Sequence, residues 1–138
     1  MADLQVDIIS PEKPVYSGTA LSVVAKAWDG EVGILPGHAP MITKLGAGEV
    51  RITRGTLANA VTDRFAIAHG FLEVANDHVV LLTERAAAVK DLAGVKQEDV
   101  DALVKQIAEE RDAEKRTELE QRLEWLRASE KLRSSAKA

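Results

Sequence analysis

The sequence contains no cysteine at all. That absence removes disulfides, thiolate nucleophiles and cysteine-based zinc sites together. Aromatic residues make up only 4% of the chain, so any core has to be assembled from Val, Leu, Ile and Ala. No apolar run approaches the roughly 18 residues needed to span a bilayer. The start, Met1-Ala2-Asp3-Leu4, lacks the basic and apolar regions of a signal sequence. Any work at a membrane is therefore expected to pass through another protein. A positive excess is missing too: the formal net charge is −4, and nothing in that total points to nucleic acid or an anionic lipid surface.

Recognisable catalytic patterns are equally scarce. There is no GxxxxGK[ST], GxGxxG, HExxH or GxSxG string. The histidines, His38, His69 and His78, fall in different segments and have no partner at metal-ligand spacing, so no metal site is expected. His38 follows Pro36-Gly37 and reads as a loop-tip residue, and His78 as part of a turn. Asp29 and Glu31 flank Gly30, and such a carboxylate pair more often solvates a turn than performs acid–base work. With 138 residues the chain makes one or two small domains.

What is present divides into two halves of different period. Up to about Thr83, apolar residues alternate: Leu4, Val6 and Ile8; Leu21, Val23, Ala25 and Ala27; Val50 and Ile52. Period two with β-branched residues predicts half-buried strands. Val79-Val80-Leu81-Leu82 is continuous, which predicts a strand covered on both faces. Pro11 to Pro14, Asp29-Gly30, Gly46-Ala47-Gly48 and Asn76-Asp77 read as the turns between runs. After Arg85 only Gly94 remains and there is no proline. Val100, Leu103, Val104, Ile107 and Ala108 form one helical stripe, and Leu119, Leu123 and Leu126 a second. The charged joint, residues 109–116, is either an exposed turn or a solvated continuation of helix. The expected fold is α+β: an N-terminal antiparallel β-sandwich or flattened barrel (residues 1–85), then a C-terminal antiparallel two-helix hairpin (86–138). Each stripe is small, so the hairpin is either a mobile element or a plain structural one.

The densest signal is Asp29-Gly30-Glu31-Val32-Gly33-Ile34-Leu35-Pro36-Gly37-His38-Ala39-Pro40. Its glycines and prolines forbid a regular helix, while Val32, Ile34 and Leu35 require burial. It predicts a shaped loop, a short strand and a second shaped loop, the sort of element that carries binding function on a rigid scaffold.

GEVGILPGHAP closely resembles the signature of the ε subunit of bacterial and chloroplast F-type ATP synthase (called δ in mitochondria). His69-Gly70-Phe71-Leu72-Glu73-Val74 resembles that family's GGFLEV, and Val6-Asp7-Ile8-Ile9-Ser10-Pro11 to Val15-Tyr16-Ser17-Gly18 resembles its first hairpin. The blocks keep family order and spacing over about the first 85 residues. His69 stands where the family has glycine, which suggests a backbone of ordinary φ there.

The resemblance implies a non-catalytic rotor subunit of a proton-translocating synthase, with chemistry on the β subunits. It implies a γ-subunit interface at His38, Pro40, Met41 and Phe71, and a c-ring interface at Asp29, Gly30 and Glu31. It also implies inhibition of ATP hydrolysis through mobile C-terminal helices that reach the α/β head. Arg122, Arg127, Lys131 and Arg133 are the candidate inhibitory contacts, in a tail (with Lys137) that runs from acidic to basic, as the helix dipole also favours. The implied location is peripheral, at the cytoplasmic face of a bacterial inner membrane. Some members bind ATP on the hairpin through Ile/Leu-Asp-x-x-Arg-Ala. Here Val100-Asp101-Ala102-Leu103-Val104-Lys105 lacks the arginine, so no cofactor is expected and ATP binding is disfavoured. The rival readings are a nucleotide-binding module and a freestanding adaptor whose hairpin dimerises.

Overall fold

In the computed structural model, residues 3–135 are described; Met1, Ala2 and residues 136–138, Lys137 among them, lie outside the described residues. Seven strands come first: β1 (Leu4–Ile9), β2 (Pro14–Ala20), β3 (Ser22–Ala27), β4 (Gly30–Ile34), β5 (Met41–Gly55), β6 (Ala60–Ala75) and β7 (His78–Ala88). A single 3-10 turn, Val89–Asp91, leads to helices α1 (Gln97–Glu109) and α2 (Ala113–Ser135).

The strands form one sheet in the order β2-β1-β7-β6-β5-β3-β4. Every pairing is antiparallel except β1 with β7, which run parallel. β2 nevertheless touches β5, although β1, β7 and β6 lie between them in the sheet. The sheet therefore folds over on itself into two layers. Tyr16 of β2 meets Phe65 of β6 edge to face, ring centroids 5.5 Å apart, one of few aromatic contacts open to so aromatic-poor a chain. Between the layers lies an aliphatic core that includes Leu4, Ile8, Ile34, Leu45, Ile52, Ile67, Leu72 and Leu81, all at 0–1% exposure.

The fold-over needs long strands that bend. Gly46-Ala47-Gly48, expected as a turn between runs, lies inside β5 instead. Opposite it, β3 takes only Ala25 to Ala27 to cover Val50 back to Leu45, so the extra residues bulge. On the other side, the ladders of β6 skip His69. His69 has φ 54°, in the left-handed region, so the expectation of an ordinary φ there was wrong. Histidine tolerates this region better than most side chains, at a cost of about 1 kcal/mol or more. Gly70, at φ 139°, has no alternative: a Cβ built on it would overlap the carbonyl of Leu82.

Turns elsewhere follow their residues. Asn76 and Asp77, φ 51° and 59°, close β6 onto β7 as a two-residue turn with both φ positive. Leu35-Pro36-Gly37-His38 is a type II turn, with Gly37 at φ 87° and His38 N–H donating to Leu35 C=O at 3.1 Å.

The continuous apolar run on β7 is not covered on both faces. Val79 and Leu81 are buried, but Leu82 is 49% exposed, because β7 has the core on one side only. The helices contribute none of the main core cluster. Of the first helical stripe only Leu103 is buried, Val100 and Ile107 are half-buried, and Val104 and Ala108 face solvent. The joint is a turn: α1 stops at Glu109, and Asp112 Oδ1 accepts the N–H groups of Glu114 and Lys115 at 2.9 and 3.1 Å as the cap of α2.

Gly70→Ala is expected to destabilise the sandwich by about 2 kcal/mol or more, because the obstacle is backbone and cannot move aside. Urea denaturation of the full chain reads this as a lowered midpoint. His69→Gly should leave stability unchanged or raised.

Candidate functional site

The outer face of the β1-β7-β6-β5 layer carries two cross-strand rows. One runs Ile9–Leu82–Phe71–Lys44 and the other Asp7–Val80–Glu73–Ile42, each step a paired position. Alternation brings this about: Leu72, Val74, Leu81 and Val79 point inward, so their neighbours must point outward. Phe71 at 53% and Ile42 at 70% are among the most exposed large apolar residues, and with Leu82 and Ile9 they make an apolar patch bordered by Lys44, Glu73 and Asp7. At its edge His78 Nε2 meets Asp7 Oδ2 at 2.6 Å, so His78 opens β7 rather than ending the turn. Hydrogen bonds from Ser17 and His78 hold the Asp7 carboxyl below its ordinary pKa.

Of the candidate γ-interface residues, Phe71 lies in this patch. Met41 lies in the same β5 segment but turns its side chain toward the core, leaving its neighbour Ile42 on the outer face. His38 and Pro40 sit in the loop before β5. That loop is held in shape from outside: Gly37 N–H donates to Asp77 Oδ1 at 2.7 Å, and His38 Nδ1 lies 2.6 Å from Ala39 O. His38 is half-buried rather than free at a tip.

Asp29 lies in the two-residue β3–β4 turn, Trp28-Asp29, and Gly30 and Glu31 open β4, at its other end from Pro36-Gly37. The sequence run that looked like one signal thus serves both ends of a strand roughly 17 Å long. Glu31 is 3.4 Å from the Arg51 guanidinium, which belongs to a chain of charges with Glu49 and Arg64. Burial pushes Glu49 up, but hydrogen bonds from Arg51 and Arg64 together outweigh it and leave its pKa lowered. Trp28, the first residue of the turn, is 70% exposed.

The hairpin lies folded against the sheet, with α2 touching β5, β6 and the 3-10 turn. Few side chains are buried by it: Leu103 of α1 and Ser129 of α2. Half-buried apolar side chains, Leu123, Trp125 and Leu126 among them, share the contact with polar links. Glu124 meets His69 at 3.0 Å, Arg64 donates to Ser135 Oγ at 3.1 Å, and Glu130 accepts the Val95 backbone N–H at 3.1 Å. Arg133 clamps the same Glu130 carboxylate with two nitrogens, at 2.6 and 3.0 Å. Of the four candidate inhibitory cations, Arg133 is therefore committed, while Arg122, Arg127 and Lys131 are exposed. Asp101, in the segment compared with a nucleotide motif, accepts from Gln97 at 2.9 Å. No group of three or more potential metal ligands occurs among the described residues. No helix there is long and apolar enough to cross a membrane.

Comparison with known proteins matches residues 3–89 to the family model described as ATP synthase, Delta/Epsilon chain, beta-sandwich domain. The chain belongs to that family. It is 36% identical to the ATP synthase epsilon chain of Alkalilimnicola ehrlichii, over 99% of both chains. It is 37% identical to that of Halorhodospira halophila, again over 99% of both. With the epsilon chain of Anoxybacillus flavithermus it shares 39% identity over 67% of its own length and 66% of the relative's. Among solved structures, chains of the Euglena gracilis mitochondrial ATP synthase (OSCP/F1/c-ring) and of the Tetrahymena thermophila central stalk and c-ring share its fold. Their TM-scores are 0.69 and 0.67, at 20% and 16% identity, over 95% and 96% of this chain.

Three residues of the outer face, Ile9, Ile42 and Leu82, were not singled out from sequence. The available signal was their alternation with buried neighbours. In Leu82 it was masked by the apolar run around it. Glu130 was missed because its role depends on the linker amide it meets.

The Glu130 contacts have a pH consequence. Arg133 first, and the Val95 N–H second, hold its carboxyl down from 4.5 to about 2. A depressed folded pKa stabilises above the unfolded value. The contribution is thus complete above about pH 4.5 and is lost as pH falls through about 2. Acidification from pH 5 to 2 should loosen the tie between α2 and the linker at Val95, read by Trp125 fluorescence in a Trp28→Phe background. Glu130→Gln should flatten most of that response; an unchanged response would assign the acid sensitivity to other carboxylates.

Proposed function

We propose that this chain is the ε subunit in the rotor of an F-type ATP synthase, a non-catalytic part that couples c-ring rotation to the catalytic head. The observation that carries the reading is the exposed apolar face around Phe71, Leu82, Ile9 and Ile42. A patch of this kind on a rigid sheet is costly to leave in water and fits a protein partner. The partner is γ, with His38, Pro40 and Met41 at the border of the same contact. The β3–β4 end of the sheet, with Asp29, Gly30 and Glu31, faces the c-ring; Glu31 reaches it already tethered to Arg51, with Trp28 in the same turn. Homologous epsilon chains of full length, and neighbours of the same fold from assemblies that include a c-ring, support this assignment. Catalysis belongs to the β subunits, and the chain sits peripherally at the cytoplasmic face of a bacterial inner membrane.

The hairpin acts as a brake on ATP hydrolysis. Its folded position is held by few buried side chains and several polar links, so an extended position has little packing to replace. In the extended position Arg122, Arg127 and Lys131 meet an acidic segment of the head, and Arg133 joins them if Glu130 releases it.

Phe71→Glu is expected to weaken binding to a γ subunit at least about tenfold, by setting a charge in the middle of the patch. Surface-immobilised γ and the purified chain measure it directly, and undiminished binding would move the docking surface elsewhere. Deleting residues from Gly94 onward should leave γ binding intact and raise ATPase activity of an α/β/γ complex. If the shortened chain no longer assembles, the hairpin is structural. If it assembles and hydrolysis is unchanged, the brake is absent.

A further inference from the structure

Trp28 is 70% exposed and takes no part in the core cluster. Its backbone is fixed nonetheless. Ala27 pairs with Leu45, and one further bond continues the ladder: Trp28 N–H donates to Lys44 C=O at 3.0 Å. Ala27 is 3% exposed and points inward, so Trp28 turns outward. It therefore lengthens one of the two outer rows, which becomes Ile9–Leu82–Phe71–Lys44–Trp28. Four strand spacings make that row roughly 19 Å long.

The β3 ladder goes no further along this end of β5. Met41, Ile42 and Thr43 pair with β6 alone, so an open strand edge lies beside the indole. Ile42, on that edge, is also 70% exposed. The carboxylate from the same end of the sheet is drawn elsewhere. Glu31 lies 3.4 Å from Arg51, which sits beyond the Gly46–Gly48 bulge, whereas Trp28 stands opposite Lys44 on the near side of it. Two chemistries are thus separated within four residues: an indole toward the face that carries Phe71, and a carboxylate toward the other half of β5.

We propose that Trp28 is an anchor of the γ contact, which runs from Phe71 over Lys44 to the indole and the open edge at Ile42. This rests on the γ reading given above and carries that contact beyond the patch to a residue of the β3–β4 turn. The matching γ surface is an apolar depression with an acceptor for the indole N–H and a carboxylate or carbonyl opposite Lys44. Buried tryptophans dominate interface energies, and one held by a tight turn has only two side-chain torsions left to order.

Two measurements on the full chain test this. With immobilised γ, Trp28→Ala is expected to weaken binding at least about tenfold, and Leu57→Ala, which removes an equally bare apolar side chain at the far β5–β6 tip, to change nothing. Trp28→Ala removes an exposed group, so its urea midpoint should stay in place. The second readout leaves position 28 intact: in Trp125→Phe, Trp28 is the sole tryptophan, and γ should shift its emission to the blue and shield it from iodide. Undiminished binding by Trp28→Ala, or an indole that γ leaves exposed, overturns the anchor while γ docking at Phe71 stands. A shift that needs a c-ring as well as γ assigns Trp28 to the ring and also overturns it. If the native chain does not bind γ at all, the docking reading falls and the anchor with it.

Discussion

Gly70 has no space for a side chain, and much of the molecule depends on that. At this point the β6 backbone runs so close to β7 that a single Cβ would collide with the Leu82 carbonyl. The close approach, with the skipped residue His69 on one side and the Gly46–Gly48 bulge on the other, lets two long strands bend together. Without the bend the sheet would be an open ribbon with both faces wet. With it, β2 comes back to touch β5 and an aliphatic core closes between the layers. A chain with so few aromatic residues needs that closure, since Val, Ile and Leu stabilise it only through complete burial, at about 1.5–3 kcal/mol each.

Closure also decides which residues are left over for partners. Once one face of β1, β7, β6 and β5 is committed to the core, the opposite face must display whatever the intervening positions encode. Here those positions encode Ile9, Leu82, Phe71, Val80 and Ile42. A free sandwich would be more soluble with polar residues there. The proposed γ contact gives the pattern its reason, and the loop anchored by Asp77 extends the same end of the sheet with a rigid backbone.

Much of this was legible in the residues. Alternation at Leu4, Val6 and Ile8 located a strand, Asn76-Asp77 located a tight turn, and the loss of glycine after Arg85 marked the passage toward helix. The failures share one cause: local pattern does not carry tertiary geometry. Gly46-Ala47-Gly48 has turn composition, and only the fold-over makes it a bulge inside a strand. Val79 to Leu82 has the composition of a doubly covered strand, and only its position in a two-layer fold leaves Leu82 bare. His69 looked like a departure that removed a special φ, but the φ is dictated by its neighbours, and the side chain tolerates it. Arg133 read as a free cation because Glu130, three residues earlier, is an ordinary helical neighbour until the linker amide of Val95 joins it.

The two halves are held by different physics, and this bears on what each can do. The sandwich rests on buried apolar area, which no partner can replace without unfolding it. The docked hairpin rests on Leu103, on half-buried apolar side chains such as Leu123, Trp125 and Leu126, and on polar links at Glu124, Glu130 and Ser135. Polar links are exchangeable: water or a charged partner surface can satisfy the same groups, so their net worth in one position is small. A helix attached in this way can leave a stable body without disturbing it. It can also be biased by a single proton or a single carboxylate, because small terms decide an equilibrium whose large terms cancel. A hairpin with a broad apolar interface would be more stable and less sensitive to either.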